Sequence, residues 1–72
     1  MKISTYRLCK NISQVRQKRG ISVKELAQRI DESVECVMQI EEGRKYMTLA
    51  MLMSICQALN VTPDVLLDDV MV

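Results

Sequence analysis

Apolar residues recur at helical spacing in five stretches of the chain, and the residues between them are those that start or stop helices. Leu8, Ile12 and Val15 fall on one face of a first helix expected over about 6–19, ended by Gly20 as the left-handed residue. Ser22 and Glu25 form a capping-box pattern opening a second helix over 23–30, with Leu26, Ala27 and Ile30 inward. Asp31 and Glu32 make the turn, and Ser33 caps a third helix over 34–42. There Val37 and Ile40 point one way while Val34, Glu35, Met38, Gln39 and Glu42 point the other. After Gly43 and the loop Arg44 to Met47, Thr48 caps a fourth helix over 49–59 whose apolar stripe reads Leu49, Leu52, Met53, Cys56 and Leu59. Asn60 ends it, and Thr62 with Pro63 opens a fifth helix over 63–70, with Val65, Leu66 and Val70 available for packing. No stretch alternates as a strand does, so the expected fold is all-α.

Seventy-two residues give room for one domain spanning 1–72, near the lower limit for a core without staples. Its apolar residues are aliphatic, with two Tyr and no Phe or Trp. A formal charge of +1 offers no general pull toward nucleic acid or anionic lipid, so any such pull must be local. Cys9, Cys36 and Cys56 are odd in number and widely spaced, which argues for a reducing compartment and a cytoplasmic location. Met1 to Leu8 lacks the apolar run of a secretory leader. The uncharged stretch from Tyr46 to Pro63 is interrupted by Ser54, Gln57 and Asn60 and reads as a core helix rather than a membrane span.

The second and third helices are joined by only Asp31 and Glu32, too short a link for antiparallel packing, so they must cross steeply. Ala27 lets their backbones approach, and Leu26, Ile30, Val37 and Ile40 seal the angle from inside. This is helix-turn-helix logic, in which the second helix stands proud of the body. The stretches "VRQKRGISVKELAQRI", "VMQIEEGRK" and "LAMLMSICQALNVTPDVLL" resemble the Cro and phage-repressor (lambda-repressor-like, Xre-type) family from about Leu8 to Leu67. The resemblance implies a compact five-helix DNA-binding domain whose third helix enters a major groove. It also implies a structural ion pair between Arg16 and Glu41.

Against that family, Val23 stands in place of a frequent Gln, Asp31 in place of the turn Gly, Glu32 in place of an apolar residue and Glu42 in place of a frequent Asn. From Ser22 to Gly43, two basic residues, Lys24 and Arg29, face six acidic ones, a net of −4. The outward face of helix three carries no Arg or Lys. Ser33 and Gln39 are suited to hydrogen-bond base edges, Val34 or Met38 to touch a thymine methyl, and Glu35 to accept from a cytosine amine. Lys24, Arg44 and Lys45 are the candidate phosphate contacts.

Catalysis and metal binding find no support: the chain has no His, its Cys have no ligand-like spacing, and Asp64 and Asp68 at i,i+4 read as solvated. No cofactor or small-molecule ligand is expected, and no enzymatic activity. The side of helix four bearing Ala50, Met51, Ser54 and Gln57 is uncharged, and the chain closes on an apolar Val70, Met71 and Val72. In resembling proteins, pairing through C-terminal helices sets two recognition helices about one DNA turn apart. A homodimer interface at Val65, Val70, Met71 and Val72 is therefore expected. The functional expectation is a sequence-specific transcriptional regulator with double-stranded DNA as partner. The alternative is a protein-interaction module of the same fold, binding another regulator or a toxin through its acidic helix.

Overall fold

In a computed structural model that describes residues 5–67, helix starts coincide with side-chain oxygens able to cap them. The order is α1 (Thr5–Lys18), α2 (Val23–Arg29), α3 (Val34–Glu41), α4 (Leu49–Leu59) and α5 (Pro63–Leu66). Ser22, Ser33 and Thr48 hold extended backbone, and their hydroxyl oxygens accept from the N–H groups of Glu25, Cys36 and Met51 at 3.0, 3.0 and 3.1 Å. Each bond satisfies one of the donors that a helix N-terminus leaves open. The reciprocal half of the capping box at Ser22 is not what the Glu25 side chain does. Its carboxylate instead accepts from Arg29, one turn along, at 2.7 Å.

The ends of α1 to α4 share one device. A residue with positive φ follows each helix: Gly20 (68°), Asp31 (57°), Gly43 (74°) and Asn60 (57°). The next residue's N–H then reaches back to the last turn, as in Ile21 to the Arg16 carbonyl at 3.1 Å and Glu32 to the Ala27 carbonyl at 2.9 Å. Arg44 to Gln39 and Val61 to Cys56 repeat the pattern at 2.8 and 3.0 Å. These are Schellman closures, which satisfy carbonyls the helix itself leaves unpaired.

The core is aliphatic and continuous. Ile12, Leu26, Val37, Ile40, Ile55, Leu59 and Leu66 are fully buried, so every helix contributes at least one side chain to it. Ala27 of α2 is also buried in this core. Asn11 on α1 donates to the Leu66 carbonyl at 2.9 Å and ties α5 to the first helix.

Two expectations are corrected here. The inward stripe of α4 is Leu52, Ile55, Cys56 and Leu59, whereas Leu49 is 74% exposed and Met53 is also exposed. A helix apolar nearly all round has no polar face to orient it from sequence, and the neighbours that cover it decide the rotation. The fifth helix, expected over 63–70, spans Pro63–Leu66 with Leu67 at its cap, and residues 68–70 lie outside the described residues. Of its expected packing residues Leu66 is buried, Val65 is exposed, and Val70 lies outside the described part.

Candidate nucleic-acid interface

Helix α3 has two unlike sides. Cys36, Val37 and Ile40 are buried against α1 and α2, while Val34, Glu35, Met38 and Glu42 are exposed and Gln39 is half-buried. At its N-terminus Ser33 is exposed, and with its oxygen accepting from the Cys36 N–H it still has the hydroxyl proton and one lone pair to offer. Val34 and Met38, one turn apart on one helix stripe, are 41% and 49% exposed.

The pose of α3 is held at its far end by a fork of hydrogen bonds. Arg16 donates through Nε to Glu41 Oε2 at 2.7 Å and through Nη2 to Glu41 Oε1 at 3.1 Å, and its Nη1 donates to the Ile21 carbonyl at 2.8 Å. Both side chains are about nine-tenths covered, at 12% and 11% exposure. One guanidinium therefore locks the end of α1, the turn into α2 and the last turn of α3 to one another. Arg29 does the same for α2. It pairs with Glu25 and donates to the Ala58 carbonyl near the end of α4 at 2.8 Å. That second tie is invisible in the sequence, because its acceptor is a backbone carbonyl brought close only by packing.

These pairs redistribute the acidity of the motif. Glu25 and Glu41 are neutralised by arginines, and Glu42 has Arg44 at 3.8 Å on the open surface, a weak pairing. The acids left without an ion pair among the described residues are Asp31, Glu32 and Glu35. Glu32 leans toward the Cys36 thiol. Burial pushes that thiol's pKa up, Glu32 beside it pushes the same way, and Lys45 opposes them.

Lys24 is exposed in the first turn of α2, and Arg44 and Lys45 are exposed beyond α3. Sequence reasoning passed over Tyr46, which stands 97% exposed beside these two cations and carries a phenolic donor. Its signal was an aromatic in an uncapped loop with two basic neighbours. A groove of about 580 Å³ lies behind this loop, lined by Leu8, Cys9, Met47, Leu52 and Leu67 among others. Among the residues expected at a dimer contact, Val65 is exposed, and Val70, Met71 and Val72 lie outside the described residues. No described helix is long and apolar enough to cross a membrane, and no described cluster of His, Cys, Asp or Glu is suited to a metal.

Comparison with known proteins places this geometry. Residues 11–70 match the family model of the Cro/C1-type HTH DNA-binding domain. Among solved structures, the clp gene regulator ClgR from C. glutamicum is similar with a TM-score of 0.81 and 30% identity over 86% of this chain and 82% of that one. The restriction-modification controller protein C.AhdI from Aeromonas hydrophila shares the fold with a TM-score of 0.82 and 21% identity, over 86% of this chain and 94% of its own. Hydroxypropylphosphonic acid epoxidase from S. wedmorenis contains the same fold in 36% of its length, at 22% identity, a TM-score of 0.83 and 93% coverage of this chain. No curated protein matches the chain by sequence.

Proposed function

Since this chain belongs to the Cro/C1-type HTH DNA-binding domain family, we propose that it works as a sequence-specific DNA-binding regulator of transcription that inserts α3 into the major groove. The observation that carries this reading is the division of α3. One side is sealed into the core and locked by Arg16 and Glu41, and the other is free to meet base edges. Ser33, Val34, Glu35, Met38 and Gln39 form the reading surface, and Lys24, Arg44 and Lys45 hold phosphates around it. The protein acts in the cytoplasm and performs no catalytic step.

A single copy presents few cations, so affinity requires two. Apolar side chains left in the open on α4 and α5, Leu49, Met53 and Val65, support a homodimer through the C-terminal half. Val70, Met71 and Val72, which lie outside the described residues, belong to the same proposed interface.

The test is selection from a random-sequence duplex pool across a salt series. A two-fold symmetric site should be enriched, with log affinity falling against log salt by roughly 0.9 per phosphate contacted. Replacing Arg44 and Lys45 together with Ala should weaken binding to all duplexes alike and reduce that slope by roughly 2. Absence of enrichment at low salt would overturn the reading in favour of a protein-binding module.

A further inference from the structure

The exposed side of α3 carries two parallel stripes. Val34 and Met38 make one and Glu35 and Gln39 the other, each pair one turn apart and so about 6 Å apart along the helix. One stripe has only apolar atoms to offer. The other begins with an acceptor-only carboxylate that has no ion pair among the described residues. At the same end the Ser33 oxygen caps the helix by accepting from the Cys36 N–H, which fixes where the hydroxyl sits. No guanidinium or ammonium projects from this face, so the chemistry that reads guanine through its O6 and N7 acceptors is missing from it.

Resting on the reading of α3 as the base-reading helix, we propose that this protein selects a half-site with cytosine opposite Glu35 and thymine methyls against Val34 and Met38. Base chemistry decides between the candidates. A carboxylate meeting guanine faces two acceptors, and meeting thymine it faces O4. Meeting adenine it gains the N6 donor but is pushed against N7. Cytosine alone presents an amino donor with no acceptor beside it on the major-groove edge. The apolar stripe acts in the same direction. A methyl group is the one feature of the major-groove edge that Val34 and Met38 are able to desolvate at no loss of hydrogen bonding. The helix therefore specifies pyrimidines on the contacted strand, leaving Gln39 to a mixed donor and acceptor edge.

The test has two arms on the intact protein. In pool selection, the wild-type consensus should carry cytosine at one position that Glu35→Gln converts to adenine, since a carboxamide matches the N6 and N7 pair. The exchange should be on the order of tenfold in relative affinity. In the second arm, uracil replaces thymine in the selected site. Wild-type binding should fall several-fold, and Val34→Ala with Met38→Ala should bind the two duplexes equally. A consensus with guanine at the contacted positions that Glu35→Gln leaves unchanged, or indifference of the wild type to uracil, overturns the proposal while DNA binding stands. A pool showing no enrichment removes the DNA-binding reading and this inference with it.

Discussion

Arg16 and Glu41 are the two residues whose loss the fold should feel most. Their contact is bidentate, nearly closed to water, and extended by the bond from Arg16 to the Ile21 carbonyl. Removing the carboxylate leaves a covered cation with one partner where it had two. Breaking such a pair from one side costs about 3–5 kcal/mol, a large part of what a small domain has in total. Glu41→Ala is therefore expected to lower the thermal midpoint by well over 10 °C, at roughly 4–8 °C per kcal/mol for a domain of this size. A calorimetric melt checks it, and an unchanged midpoint would mean that water replaces Glu41 at the guanidinium. The pair was reachable from sequence only through family resemblance, because nothing local relates positions 16 and 41.

At the level of elements, capping is local chemistry, and this is why the starts of α2, α3 and α4 and the breaks after α1 to α4 are legible from residue identity alone. Asp31 shows the limit. It occupies the left-handed position between α2 and α3 at φ 57°, a conformation glycine adopts freely and a residue with a Cβ adopts at some cost, eased for Asp by its short polar side chain. Asp31→Gly should relieve that cost and add about 0.5–1 kcal/mol to stability, read as a higher urea midpoint at unchanged m-value. It also removes a carboxylate from beside the recognition helix, so DNA affinity should rise in parallel. A lower midpoint would show that the entropy glycine gains in the unfolded chain wins instead. The rotation of α4 was not legible in the same way. Leu49, Leu52, Met53, Ile55 and Leu59 are all apolar, and only the positions of α2 and α5 determine that Ile55 goes inward and Leu49 outward.

Across the whole molecule, the three cysteines report on the integrity of the core. Cys9, Cys36 and Cys56 sit on α1, α3 and α4, all buried and all as free thiols. Burial pushes each thiol above its ordinary value of 9.0; Glu41 adds to this at Cys9, Glu32 at Cys36 and Asp64 at Cys56. Above that ordinary value the unfolded chain releases thiol protons that the folded chain still holds, so the unfolded state binds fewer protons and stability falls as pH rises. Below it both states are protonated and the contribution is fully present. Unfolding free energy should accordingly decline as pH climbs past about 9, on through the raised folded values. The comparison that isolates the thiols is with the Cys9→Ala, Cys36→Ala, Cys56→Ala variant. That variant should start less stable at pH 7 and lose less between pH 8 and pH 10. A thiol reagent at neutral pH should label Cys36 and Cys56 at one rate set by global opening, because both belong to the same continuous core. Faster labelling of Cys36 alone would show that α3 detaches from the body without unfolding it. A recognition helix held by Arg16, Glu41 and its buried side should not do so.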